Sequence, residues 1–121
     1  MVSACSDGHG GQSFYDTFAQ EPDEEKIMAS FLATPSDRTI PDQWEAQILC
    51  RILLKHPVIM VTQAFREMVE AMHMHWAPDL SAAIDLADRL LGRADSPITV
   101  CLLYTSPSPR DLSTSRMPSS A

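Results

Sequence analysis

The fold is decided by residues 40–62, which read IPDQWEAQILCRILLKHPVIMVT. The first part predicts a helix from about Pro41 to Lys55, because a proline is tolerated in a first turn and acidic residues favour the start of a helix. Pro57 then ends this helix. The uninterrupted apolar run that follows, residues 58–61, predicts a strand covered on both faces, as in a parallel sheet with helices on either side.

The side chains of this helix predict which face is buried. Four residues recur at every fourth position and predict the solvent-facing side: Gln43, Gln47, Arg51 and Lys55. The large apolar residues between them predict a broad buried face: Trp44, Ile48, Leu49, Ile52 and Leu53. A helix with so wide an apolar face is expected to pack on a large neighbouring surface.

The remaining chain alternates short apolar runs with helical patterns. Residues 1–5 predict a short strand that enters a glycine loop at residues 7–11, residues 73–78 are interpreted as a linker, and residues 96–100 predict another strand. This alternation predicts the α/β class: a three-layer domain with a mostly parallel sheet flanked by helices, truncated at both ends.

Four further helices are expected. Ser13 is a candidate N-cap for the first, residues 23–25 supply an acidic first turn for the second, residues 63–72 form the third, and the fourth runs from an Asp79 N-cap to a C-terminal Gly92. The apolar residues at helical spacing are expected to face inward: Phe14, Tyr15, Phe18, Ile27, Met28, Phe31, Leu32, Phe65, Met68, Val69, Met72, Leu80, Ala83, Ile84, Ala87 and Leu91.

Composition limits the class of protein. The 121 residues carry a formal net charge of −7, which argues against nucleic acid or an anionic membrane as partner. The sequence has no apolar run of about 20 residues and no signal peptide, so a cytoplasmic protein is expected. Cys5 and Cys50 are widely separated and are expected to be free thiols.

The C-terminal residues differ in character from the rest. Residues 101–111, CLLYTSPSPRD, and residues 115–121, SRMPSSA, look like translated sequencing-adapter read-through. A natural disordered Ser/Pro tail would have a similar composition. We expect residues 101–121 to be an artefactual disordered tail and the domain to end near Val100.

Several residues are candidates for chemistry. The glycine loop could hold an anion near a helix N-terminus, or it could be a tight turn that needs positive φ. His73 and His75 could be metal ligands, but without neighbouring ligands they fit loop and cap positions better. The acidic residues 23–25 could be an acid/base pair, but they suit the start of a helix. Trp44 can pack on the core and still face a cleft.

Two blocks of sequence together resemble a known family. The first is SACSDGHGG at residues 3–11, followed by Ser13-Phe14-Tyr15. The second is IPDQWEAQIL at residues 40–49, followed by ILLKH at residues 52–56. Over most of residues 1–100 the chain resembles the C-terminal domain of the nickel-dependent lactate racemase family.

The resemblance implies a two-domain α/β isomerase with its active site between the domains. Its cofactor would be a nickel-pincer nucleotide, which takes a hydride from the α-carbon of a 2-hydroxy acid while paired histidines act as acid and base. Those groups belong to the N-terminal domain, so the resemblance assigns no catalytic, cofactor or metal residue here. Trp44 alone resembles a position that lines the substrate pocket.

We therefore expect residues 1–100 to be a partial C-terminal domain of a racemase or epimerase of 2-hydroxy acids. Without its N-terminal domain it should be inactive and should bind no cofactor. A family member acting on a larger hydroxy acid fits the same residues. The alternative from another class is a stand-alone small α/β module that uses the glycine loop to bind an anion or to regulate a partner.

Overall fold

The computed structural model describes residues 1–101, so the predicted tail lies outside the described residues except for Cys101. The elements, in chain order, are α1 (Gln12–Ala19), α2 (Glu24–Ala33), a 3-10 turn (Ser36–Arg38), α3 (Gln43–Leu53), β1 (Ile59–Val61), α4 (Arg66–Ala71), β2 (His75–Ala77) and α5 (Leu80–Leu91). None of the described helices is long and apolar enough to cross a membrane.

The sheet is small and parallel. β1 pairs with β2 in the register Ile59 with His75, Met60 with Trp76 and Val61 with Ala77. On the other side of β1, Val2 forms a single parallel bridge with Val61. The amide of Val61 donates to the carbonyl of Met1 at 2.7 Å, and the amide of Ser3 donates to the carbonyl of Val61 at 3.1 Å. The strand predicted at residues 1–5 is thus reduced to one bridge.

Helices flank both faces of this sheet, which confirms the predicted α/β class. Side chains alternate along a strand, so Met60 points to one face and Ile59 and Val61 point to the other. Met60 joins the main core, which is formed with residues of α1 to α4 and of the segment between α4 and β2: Phe18, Ile27, Phe31, Ala46, Cys50, Val69, Met72 and Met74. Ile59 and Val61 lie on the side covered by α5.

The interpretation of residues 73–78 as a linker is wrong, because His75–Ala77 is strand β2. A strand of three residues is too short to show a period of two, so the local pattern carried no strand signal. Its strand conformation comes from pairing with β1, a contact between segments that are distant in sequence. The strand predicted at residues 96–100 is not formed.

The predicted helix ends are mostly correct. Asp79 caps α5 as predicted, by accepting a hydrogen bond from the amide of Ala82 at 2.9 Å. The predicted acidic start of α2 is formed by Glu24 and Glu25, while Asp23 lies just before the helix as its N-cap and accepts a hydrogen bond from the amide of Glu25 at 2.9 Å. Gly92 ends α5 in the left-handed conformation, with φ of 71°. Ser13 is not a cap, because α1 begins one residue before it, at Gln12.

The orientation predicted for α3 is only partly correct. Leu49 and Leu53 pack against the core and Arg51 and Lys55 are exposed, as predicted. The side that packs inside carries Gln43, Ala46 and Cys50, whereas Trp44, Ile48 and Ile52 are 66%, 47% and 43% exposed. α3 packs mainly against α2 and α1, and the small side chains of Ala46 and Cys50 allow close approach. The thiol of Cys50 donates to the Glu24 carbonyl of α2 at 3.2 Å.

Predictions of inward-facing side chains also fail on α2, before α4 and on α5. Leu32 of α2 is 74% exposed, whereas Met28 packs against the core as predicted. Phe65 is 82% exposed, because α4 begins after it. On α5, Ala83 is buried while Leu80, Ile84 and Leu91 are 61%, 39% and 58% exposed, since the narrow sheet beneath covers little of this helix.

The core position of Phe18 gives a direct test of this packing. Phe18 is 1% exposed, so Phe18→Ala should lower the free energy of unfolding by about 3–5 kcal/mol through lost burial and a residual cavity. The matched control is Phe65→Ala at the 82% exposed position, which should change stability by less than about 0.5 kcal/mol. Urea unfolding followed by circular dichroism measures both. Equal losses would contradict the assignment of Phe18 to the core.

Candidate functional site

The glycine loop and the start of α3 meet in space. Gly11 is the N-cap residue of α1 and Asp42 is the N-cap residue of α3. The Asp42 carboxylate occupies the space into which a Cβ on Gly11 would project. The two sequence blocks at residues 3–15 and 40–49 are therefore in direct contact, although about thirty residues separate them along the chain.

The backbone of the glycine loop is a tight turn. Gly8 and Gly10 have φ of 83° and 84°, values that glycine adopts without steric cost. The amide of Gly8 donates to the carbonyl of Cys5 at 3.0 Å. Of the two interpretations of this loop, the need for positive φ accounts for these two glycines.

His9 is a polar residue of this loop that sequence reasoning did not single out. Its ring stacks on Tyr15 with centroids 4.4 Å apart, and its Nδ1 atom is buried without a hydrogen-bond partner among the described residues. Buried polar atoms normally have partners, so this nitrogen is an unsatisfied polar group within the loop. The sequence signal that could have identified His9 is its position between Gly8 and Gly10, the two glycines that have positive φ in the structure.

Trp44 lies in the first turn of α3, two residues after the contact with Gly11. Asp42 has φ of 61°, so the chain turns sharply into the helix at this point. The Trp44 side chain is 66% exposed. This exposure shows that its predicted packing on the core is wrong, whereas its position in a substrate pocket stays a prediction.

His73 and His75 are not brought together as ligands. The Nδ1 atom of His73 lies 3.0 Å from Glu24 Oε1 and its Nε2 atom lies 2.9 Å from the Phe18 carbonyl oxygen, whereas His75 lies in β2 opposite Ile59. A carbonyl can only accept, so Nε2 of His73 donates. His73 thus connects β2 to α1 and α2.

The acidic residues 23–25 have structural roles. Asp23 caps α2 and Glu24 contacts His73. Within residues 1–101, no three or more His, Cys, Asp or Glu side chains come together in an arrangement that could hold a metal. Asp23, Glu24 and His73 are therefore engaged in contacts within the fold.

Cys50 is a buried thiol whose pKa is raised. Cys5 and Cys50 are both free, as expected, and Cys50 is completely buried. Burial raises the pKa of the Cys50 thiol, and the negative charge of Glu24 raises it further, since both disfavour the thiolate. Cys50 is consequently a packing residue and not a nucleophile at neutral pH.

Comparison with known proteins identifies the family. A family model described as the lactate racemase C-terminal domain matches residues 1–102. This chain belongs to the lactate racemase family. The resemblance inferred from the two sequence blocks is confirmed, and nothing in these comparisons favours the stand-alone anion-binding module.

Individual lactate racemases show how much of the family protein is represented. The chain is 45% identical over 101 residues to the lactate racemase of Thermoanaerobacterium thermosaccharolyticum, covering 83% of this chain and 24% of that protein. It is 40% identical over 95 residues to the lactate racemase of Lactiplantibacillus plantarum, covering 78% and 22%. The chain therefore spans about a quarter of the length of these relatives.

A solved structure agrees with the fold. The chain matches the lactate racemase apoprotein of Thermoanaerobacterium thermosaccharolyticum with a TM-score of 0.73 and 44% identity. The match covers 77% of this chain and 22% of that protein. The arrangement of helices around the parallel strands is therefore that of a segment of a lactate racemase.

The close approach of Gly11 and Asp42 can be tested by a double substitution. Gly11→Ala should destabilise the chain by about 1–3 kcal/mol, because the added methyl group displaces the Asp42 carboxylate. Asp42→Gly removes that side chain and suits the positive φ at position 42. The double variant should recover most of the loss in thermal unfolding experiments. Additive effects of the two substitutions would show that the residues do not interact.

The raised pKa of Cys50 predicts how stability depends on pH. Above about pH 8.5 the unfolded chain releases the Cys50 proton while the folded chain retains it, so stability falls until pH passes the folded pKa. Urea unfolding between pH 7 and 10 should show a steeper alkaline decline for the unmodified chain than for Cys50→Ala. Identical slopes for the two proteins would contradict the raised pKa.

Proposed function

We propose that this chain acts as the C-terminal domain of a nickel-dependent racemase of lactate or a related 2-hydroxy acid, and that Trp44 lines the substrate pocket. One observation carries the proposal. The two blocks that resemble the family meet at Gly11 and Asp42, and the exposed Trp44 lies next to that contact.

An indole suits this role for physical reasons. Its flat apolar face can exclude water from one side of a small substrate, and its N–H group can donate one hydrogen bond. The backbone before Trp44 is constrained by the positive φ of Asp42 and the lack of space between Asp42 and Gly11. The ring is therefore presented from a defined turn, which favours a positioning role over a role in proton transfer.

We infer that the cofactor, a nickel-pincer nucleotide, is held by the part of the enzyme outside the described residues. In support, residues 1–101 offer no group of three metal-binding side chains, and His73 already contacts Glu24 and Phe18. No catalytic step is assigned to this chain through nickel. Its own contribution is a substrate-facing surface, and the chain alone should be inactive.

A chimera tests this proposal. Residues 1–101 replace the matching segment of the Thermoanaerobacterium thermosaccharolyticum lactate racemase, and conversion of L-lactate to D-lactate is followed in the cofactor-loaded protein. The chimera should be active. Trp44→Ala should lower kcat/KM by at least about tenfold, equivalent to about 1.4 kcal/mol of lost transition-state binding, because one wall of the pocket is removed.

Two further variants serve as controls for Trp44→Ala. Trp44→Phe keeps the flat apolar face and should retain more activity than Trp44→Ala. Phe65→Ala removes an aromatic ring that is 82% exposed at the start of α4 and should leave kcat/KM unchanged. Equal activity in Trp44→Ala and the unsubstituted chimera would exclude the role of Trp44. A folded, loaded chimera that converts neither lactate nor a larger 2-hydroxy acid would contradict the proposed activity.

A further inference from the structure

His73 lies where three elements of the fold meet. It follows α4 and precedes β2, and its ring packs edge-on against the ring of Phe18 with centroids 5.6 Å apart. Its backbone has φ of 61°, a left-handed conformation that is uncommon for residues other than glycine. Its amide donates to the Glu70 carbonyl oxygen at 3.0 Å. Backbone and packing therefore hold the imidazole ring in one place.

Both ring nitrogens of His73 face oxygen atoms that accept hydrogen bonds. Nε2 lies 2.9 Å from the Phe18 carbonyl oxygen, and Nδ1 lies 3.0 Å from Oε1 of Glu24. Neither a carbonyl oxygen nor an ionised carboxylate can donate. A neutral imidazole has one N–H group, which would serve Phe18 and leave the lone pair of Nδ1 against the carboxylate. The imidazolium has an N–H group on each nitrogen and can donate to both oxygens.

The other arrangement that satisfies Nδ1 is a neutral pair, in which a protonated Glu24 carboxyl group donates to it. In water a proton binds an imidazole about a hundredfold more tightly than it binds a glutamate carboxylate. The Glu24 side chain is 34% exposed, so water stabilises its charged form, whereas the His73 side chain is 13% exposed. The geometry therefore favours a proton on the ring over a proton on the carboxylate.

The places of the two acceptors in their helices also favour a positive charge on His73. Phe18 lies in the last turn of α1, so its carbonyl oxygen belongs to the negative end of that helix, where carbonyl groups lack partners within the helix. Glu24 is the first residue of α2 and brings a full negative charge to the same ring. A cation at position 73 thus joins the end of one helix to the start of the next.

Glu24 is the charged group that governs His73. Among residues 1–101 it is the charged side chain that lies at ion-pairing distance from the His73 ring. Other titratable groups on the surrounding elements contact different partners: Asp16 of α1 with Gln12, Asp23 of α2 with the amide of Glu25, Cys50 of α3 with the Glu24 carbonyl, and Glu70 of α4 with Arg66. The charge state of the ring is therefore tied to one carboxylate.

We propose that His73 is an imidazolium cation in the folded chain and acts as a proton-dependent clamp between the end of α1, the start of α2 and the segment before β2. Loss of the Nδ1 proton places a lone pair against the Glu24 carboxylate and loosens this junction. The other end of α1 begins at Gly11, which contacts Asp42, so the clamp also steadies the helix that carries the glycine loop. This property belongs to the fold and does not depend on the proposed racemase activity.

The clamp gives the stability of the chain a definite dependence on pH. The folded chain binds the second proton of His73 more tightly than the unfolded chain, in which the ring has no fixed partner. Stability is therefore greatest in mild acid and falls as pH rises. The folding equilibrium constant should fall about tenfold between pH 6 and pH 8, the effect of losing one hydrogen bond to a charged group. This interval lies below about pH 8.5, where Cys50 begins to contribute.

The experiment records nitrogen NMR spectra of the histidine rings and urea unfolding of the full chain at pH 6, 7 and 8. At pH 7 both ring nitrogens of His73 should carry protons, whereas an unpaired histidine is mainly neutral at that pH, and the exposed His56 provides the reference. Glu24→Gln puts an amide in place of the carboxylate, and this amide can donate to Nδ1. In that variant the ring should show one protonated nitrogen at pH 7, and the tenfold loss of stability should disappear.

Two further variants separate the charge of the clamp from its packing. Glu25→Gln removes one charge at the next, exposed position of α2 and should keep both the doubly protonated ring and the pH dependence. His73→Asn suits the positive φ, carries no titrating ring and should abolish the pH dependence. A single protonated ring nitrogen in the unsubstituted chain at pH 7 would overturn the proposal in favour of the neutral pair. An unchanged pH dependence in Glu24→Gln would also overturn it.

Discussion

The contact between Gly11 and Asp42 is the constraint on which the candidate site depends. A methyl group at position 11 would require the Asp42 carboxylate to move, so glycine at this position lets the loop lie against the first turn of α3 without that shift. Asp42 has positive φ, which turns the chain into α3 directly at the contact. Trp44 follows two residues later, in the first turn of α3.

A second set of contacts ties the layers together. β1 is paired on both sides, by β2 and by the first residues of the chain, and it provides the parallel framework between α5 and the other helices. His73 extends this framework, since its two ring nitrogens contact Glu24 of α2 and the carbonyl of Phe18 in α1. Because its side chain is 13% exposed, these polar contacts form in a partly dry environment, where a missing partner is costly.

The apolar side chains of α3 are divided between the core and the surface. The buried core is formed by residues of α1 to α4, by Met60 of β1 and by the segment between α4 and β2, and its largest fully buried side chains are Phe18, Val69 and Cys50. Leu49 and Leu53 of α3 pack against this core. Trp44, Ile48 and Ile52 lie outside it and are 66%, 47% and 43% exposed.

Local sequence determined those features that depend on neighbouring residues. The caps at Asp23 and Asp79, the left-handed Gly92, the positive φ of Gly8 and Gly10 and the existence of each helix follow from short-range sterics and hydrogen bonding. The two family blocks were also recognisable, because they are continuous in sequence. Trp44 was identified as a candidate in the same way, from its place in a first turn.

Tertiary structure alone decided three other features. β2 was missed because three residues are too few to show the alternation of apolar and polar side chains that marks a strand. Its strand conformation depends on pairing with β1. The side of α3 that faces inward was only partly predicted: Leu49 and Leu53 pack against the core, but close packing against α2 and α1 buries Gln43, Ala46 and Cys50 and leaves Trp44, Ile48 and Ile52 exposed. The contact of Gly11 with Asp42 could not be predicted from the sequence, because residues distant in sequence meet only when the whole chain is packed.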